Sequence, residues 1–187
     1  MISQLSQTKQ WLAVNQKAAF WIKTFIGANL IALFAQISVP MYPVPITGQT
    51  LAVTVVGLGL GRKAGASAVL LYLFEGIIGL PVFANGSMGL ASLLGPSGGY
   101  LIGFVPSAYL LGYFSDKGVL NSFTKSLVVV FVASVLIFAF GLAQLSFFVP
   151  ADKVLAYGLY PFILGGVIKA VLASALVIPT YKFFSKL

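Results

Sequence analysis

The sequence predicts an all-α membrane protein with six transmembrane helices and a re-entrant, lid-like loop between spans three and four. Three observations predict it. Of the 187 residues, 59% are hydrophobic and only 7% are charged, against about 25% charged in an ordinary soluble domain. The apolar residues fall into six runs near the length that a hydrocarbon core of about 30 Å requires of a helix. The basic residues gather in small groups between alternate runs, as short cytoplasmic loops do.

Span one runs from about Phe20 to Val39. Its length and the five runs behind it set it apart from a signal peptide. The segment before it, with Ile2, Leu5, Lys9, Trp11, Leu12 and Lys17, reads either as an interfacial helix or as a frayed terminus. Span two is short and Gly-rich, from about Thr47 to Gly61, and span three runs from about Ala64 to Leu80. Span four covers about Gly98 to Phe114. Span five, about Ser126 to Val149, is the most uniformly apolar. Span six covers about Tyr157 to Phe184. No internal repeat is evident, and residues 1–187 read as one integral membrane domain.

Charge gives the orientation. Lys9, Lys17, Lys23, Arg62, Lys63, Lys117, Lys125, Lys182 and Lys186 share one side of a six-span chain, and the opposite loops hold only Lys153. Both termini are therefore expected in the cytoplasm, with the chain in the cell membrane. The net charge of +8 fits this membrane pattern and implies no nucleic acid.

The two main outer loops carry no charge. One is PMYPVPITG, from Pro40 to Gly48. The other is PVFANGSMGLASLLGPSGG, from Pro81 to Gly99. The second holds Val82, Phe83, Met88, Leu90, Leu93 and Leu94, more apolar surface than a loop in water needs. Irregular backbone at membrane depth survives where protein covers it or a cavity hydrates it, so this loop is expected to fold over the mouth of the bundle.

Candidate chemistry is sparse. With no Cys and no His, the thiol nucleophile, the imidazole base and the usual soft-metal ligands are absent. The acids are Glu75, Asp116 and Asp152, too few for paired carboxylates or a carboxylate metal cage. No GxxxxGK[ST] loop is present for nucleotide phosphates. The chain is not expected to be an enzyme, to use a cofactor or to hold a metal.

Lys169 stands near the middle of span six. An ionisable group at that depth costs several kcal/mol and faces a partner or a cavity, and its stem reaches the interface poorly. Its expected partner is an anion. Glu75 is the one acid inside a span. It either pairs with Lys169, accepts hydrogen bonds from a ligand's N–H groups, or bonds local backbone and hydroxyl groups. Asn85, Ser97 and Tyr100 belong to the long loop and its exit, and Thr47 and Gln49 open span two. Such amides and hydroxyls orient a small polar head in an apolar pocket. Taken alone, these residues describe an outward-facing site for a small amphiphilic anion. Ala28 and Ala32 stand four apart in span one, a spacing that lets a second helix approach closely. That helix is either internal or part of another protein. Gly99 and Gly103, and Gly166 and Ala170, repeat the spacing.

The strings AQISVPMYPVPITGQTLAV, GLPVFANGSMG and GPSGGYLIGF, in this order and spacing, resemble the BioY family, the biotin-binding S components of energy-coupling-factor (ECF) transporters. The resemblance covers about Phe25 to Ala173. It implies a small six-helix protein that binds biotin, as transported ligand, from outside. It also implies docking, through the alanine motif at Ala28 and Ala32, to a transmembrane coupling protein and two ATPase subunits. The family's loop asparagine falls on Asn85 and its span-six lysine on Lys169. Members often carry an acid three residues before that lysine, where this chain has Gly166. A stand-alone biotin carrier without ATPases, and a structural membrane subunit without a ligand, are the competing readings.

Overall fold

A computed structural model describes the backbone of residues 15–186 and the side chains of residues 15–179. The N-terminal residues Ile2, Leu5, Lys9, Trp11 and Leu12, and the side chains of Lys182 and Lys186, lie outside that range. The chain is mostly helical. Among the described residues, four stretches are long and apolar enough to cross a membrane: Gln16–Ala35, Gln49–Ile77, Phe123–Leu145 and Ala151–Pro179.

The first helix, α1, spans Gln16–Ala35, with Thr24, Gly27, Ala28, Ile31 and Ala35 buried. It stops short of the expected Val39, because Ser38–Val39 (β1) pairs antiparallel with Ile46–Thr47 (β2). Val39 precedes Pro40, and a residue before proline is pushed away from helical geometry. Pro40, Pro43 and Pro45 between the strands offer no N–H, so the ribbon remains two residues long.

The second helix, α2, spans Gln49–Ile77, but its course breaks at Gly61 (φ 78°, ψ 173°). A Cβ on Gly65 would lie 3.1 Å from Gly57 Cα. In an unbroken helix those positions are about 12 Å apart. The chain therefore doubles back at Gly61, and its arms, expected as spans two and three, pack on each other. Only glycine adopts such a backbone without strain. The turn sits on α4 (Gly98–Asp116). A methyl on Gly112 would overlap the backbone of Gly61 and Arg62. Ser115 Oγ donates to Leu58 O at 2.6 Å, and Arg62 Nε lies 3.5 Å from Asp116 Oδ2.

Between α2 and α4 runs the long loop, with a 3-10 turn at Ala84–Gly86 and a short α3 at Leu90–Leu94. After α4 come a 3-10 turn at Val119–Asn121 and α5 (Phe123–Leu145), whose N-cap Ser122 accepts from Lys125 N. A short α6 (Val154–Gly158) precedes α7 (Tyr160–Lys186). The expected span six divides there because Pro161 has no N–H to continue α6 and is tolerated in the first turn of α7.

Two apolar clusters fill the interior. One, with Ile31, Val53, Val69, Tyr72, Phe83, Tyr100 and Phe104, lies toward the loops. The other, with Leu58, Leu111, Leu120, Val130 and Ala170, lies toward the Gly61 turn. Large apolar residues also cover the outside: Trp21, Phe25, Leu33, Leu70, Phe74, Val132, Val135, Leu164 and Leu176 are all exposed. Exposure of so many large apolar side chains suits lipid.

Candidate functional site

A cavity of about 300 Å³ lies at the loop end of the helices, at the lower edge of the usual size of small-molecule sites. The ribbon and the start of α2 supply Val44, Pro45, Thr47, Gln49, Thr50 and Thr54. The long loop supplies Phe83, Ala84, Asn85, Ser87, Ser92 and Ser97. α4 adds Tyr100, Leu101 and Phe104; α5 adds Val130, Ser134, Ile137 and Phe138; α7 adds Phe162, Gly166, Lys169 and Ala170. The structure thus brings Thr47, Gln49, Asn85, Ser97, Tyr100, Gly166 and Lys169 together from five parts of the chain.

Lys169 is the one charged residue on this wall among the described residues. Its Nζ donates to the backbone carbonyl of Thr47 at 2.5 Å, and among the described residues no carboxylate stands within ion-pair distance of it. The Thr47 hydroxyl donates to Gln49 Oε1 at 2.8 Å and accepts from Gln49 N at 3.3 Å. Gln49 Nε2 donates to the hydroxyl of Tyr72, which is fully buried. The carbonyl that meets the cation is therefore fixed by a chain of bonds anchored in the core.

Asn85 is the non-glycine residue with positive φ among the described residues, at 57°. Asparagine tolerates this left-handed geometry better than most side chains. Ser38 Oγ donates to Asn85 Oδ1 at 2.6 Å. The amide nitrogen of Asn85 donates to no protein acceptor among the described residues, and Asn85 lines the cavity.

An apolar wall faces these groups. Tyr100, Phe138 and Phe162 form a trio with ring centroids 6.2–6.3 Å apart, and Tyr100 Oη donates to Gly158 O at 2.8 Å. Beside Lys169, a Cβ on Gly166 would meet nothing within 4 Å, so space stands open next to the cation. The arrangement combines one cation, amide and hydroxyl groups and an aromatic face. It fits an anion attached to a compact apolar body with hydrogen-bonding edges.

The structure places Glu75 and the alanine pair away from the cavity. Glu75 is not on the cavity wall and makes no ion pair with Lys169. Tyr72 and Gly76 are buried on α2, whereas Glu75 is only half-buried. Of the two alternatives for the alanine pair, the structure shows an internal contact at Ala28, which is fully buried in the protein's own core, while half-buried Ala32 packs against the same cluster.

Other residues went unnoticed in the sequence. Gln36 Nε2 donates to Phe83 O at 3.1 Å, and its Oε1 accepts from Gly86 N at 3.1 Å. Gln144 Nε2 donates to Leu93 O at 2.8 Å and Gly95 O at 2.7 Å. These two glutamines fasten the long loop over the cavity from α1 and α5. Phe83 packs edge-on to Tyr72 at 5.4 Å and lines the cavity.

Comparison with known proteins gives concordant results. The sequence profile of the BioY family matches residues 7–186. The chain is 38% identical to the biotin transporter BioY of Thermotoga maritima over 86% of this chain and 95% of that protein. It is 35% identical to the biotin transporter BioY2 of Lactococcus lactis subsp. cremoris, over 80% of this chain and 82% of the relative. Among solved structures it resembles the S-component for biotin from an ECF-type ABC transporter, with a TM-score of 0.81 and 32% identity over 90% of this chain and 93% of the other.

Proposed function

This chain belongs to the BioY family, and from that premise we propose that it is the membrane-embedded biotin-capture component of an ECF-type transporter. The observation that carries the reading is the cavity itself, where a lone half-buried lysine faces an aromatic trio and a loop asparagine. Biotin has a carboxylate tail, a compact ring body and a ureido edge. We assign the carboxylate to Lys169, the rings to Tyr100, Phe138 and Phe162, and the ureido edge to Asn85, Ser97 and the open ground beside Gly166. Thr47 and Gln49 position the cation. In this reading biotin is cargo, not a cofactor, and the chain performs no chemistry.

The same reading has six crossings: α1, the two arms of α2, α4, α5 and α7. The first arm, Gln49 to Leu60, covers only about 18 Å at 1.5 Å per residue. The ribbon and cavity occupy the rest of that depth. Lys23, Arg62, Lys63, Lys117 and Lys125 mark the cytoplasmic end, and the cavity opens outward. The partners are a transmembrane coupling protein and two ATPases. Likeness to an ECF-type S-component favours this over a stand-alone carrier. Binding of labelled biotin to the purified chain tests the capture role. Uptake by cells lacking the coupling protein separates the two transport readings: loss of uptake supports the coupled one, and persistence supports the carrier.

A further inference from the structure

A second cleft, of about 400 Å³, opens away from the cavity, between the start of α1 and the Gly61 turn of α2. Lys23, Arg62, Lys63 and Asp116 line it. Arg62 is engaged with Asp116, while Lys23 and Lys63 have no carboxylate within ion-pair distance among the described residues. Three cations against one acid leave a surplus of positive charge.

The rest of the wall is mostly apolar, with Ala19, Phe20, Leu60 and Ala64 beside Gly61 and the polar Gln16. Phe20 packs edge-on to Trp21 at 5.4 Å, and Trp21 is exposed, as are Phe25 and Ile26 further along α1. Tryptophan marks the headgroup level of a bilayer. In the six-crossing reading above, these cations stand near headgroup depth beside an exposed apolar surface of α1. Basic pockets between membrane helices accept anionic lipid headgroups by this combination.

We propose that this cleft binds the phosphate of an anionic glycerophospholipid, with Lys23 and Lys63 as its charge partners and the acyl chains along the exposed face of α1. A free anion would use the lysines but gain nothing from Phe20, Leu60 and the apolar strip below them.

The test is native mass spectrometry of the full chain, purified in detergent and titrated with phosphatidylglycerol or phosphatidylcholine. The wild type is expected to retain phosphatidylglycerol preferentially. The double variant Lys23→Gln/Lys63→Gln is expected to hold it roughly 10- to 30-fold more weakly, at about 1 kcal/mol per lysine near a surface. Lys63→Gln alone, at an exposed position, should give an intermediate loss. Lys125→Gln, at the same end but outside the cleft, should change nothing. Biotin binding by each variant reports that the fold is intact. Equal retention of the two lipids, or an equal loss with Lys125→Gln, overturns the proposal. Displacement of the lipid by millimolar inorganic phosphate makes this a free-anion site and overturns the lipid assignment. So does a double variant that keeps its lipid but fails to assemble with the coupling protein, since the cleft is then a protein contact.

Discussion

The ammonium of Lys169 on α7 donates a hydrogen bond to the carbonyl of Thr47 in the ribbon, 122 positions earlier in the sequence. A neutral carbonyl satisfies one of the three ammonium donors and none of its charge. The contact ties the last helix to the strand that enters α2. A ligand carboxylate that reaches Lys169 meets a cation already aimed by Thr47, Gln49 and Tyr72.

Asn85 combines a left-handed backbone with an amide nitrogen that has no acceptor among the described residues, and two substitutions separate these roles. Asn85→Gly keeps the backbone but removes the amide. It is expected to weaken biotin by about 2- to 12-fold, the worth of one neutral hydrogen bond. Asn85→Ala should lose more, because alanine strains at φ 57°. Wild-type affinity in Asn85→Gly would show that only the backbone conformation matters.

The turn between the arms of α2 depends on Gly61. Gly61→Ala is expected to destabilise the protein by about 1–3 kcal/mol, the cost of a non-glycine residue in that backbone region, and to lower the melting temperature in detergent. Gly59→Ala, two residues earlier with open space around it, should be neutral or slightly stabilising. Equal melting temperatures for the two variants would contradict the turn geometry.

Burial divides the alanine pair of α1. Ala28→Trp inserts an indole into a closed core and should lower the stability of the isolated chain. Ala32→Trp, half-buried, should leave biotin binding intact while blocking assembly with the coupling protein, since membrane helices need close backbone approach. Normal co-purification of the Ala32→Trp chain with the coupling protein would rule out this docking face.

Much of this was readable in the residues, and the failures are physical. The cost of a mid-span cation singled out Lys169, and an uncharged, apolar loop singled out Asn85 and Ser97. Spacing alone showed that Ala28 and Ala32 make a close contact but not with which helix. A lone acid marks Glu75 in the sequence, yet it is not among the residues that line the cavity. Gln36 and Gln144 gave no signal, because their partners are backbone groups some 50 positions away. Carbonyls and amides of the main chain have no identity that a sequence can display.

Orientation is open to single-cysteine labelling, since the native chain has no cysteine. Ser87 and Asn121 are both exposed and lie at opposite ends of the bundle. With a membrane-impermeant maleimide on intact cells, Ser87→Cys should label and Asn121→Cys should label only after lysis. The reverse pattern would invert the topology.

The central claim, that Lys169 holds the carboxylate of biotin, is tested most directly by titrating biotin and neutral biotinamide into purified wild-type and Lys169→Met chains. A charge-assisted hydrogen bond in a dry site is worth roughly 1.5–3 kcal/mol. Lys169→Met should therefore bind biotin about 10- to 150-fold more weakly than wild type, and should no longer distinguish the acid from the amide. Wild-type affinity for biotin in Lys169→Met, or an equal loss for acid and amide, would contradict the account.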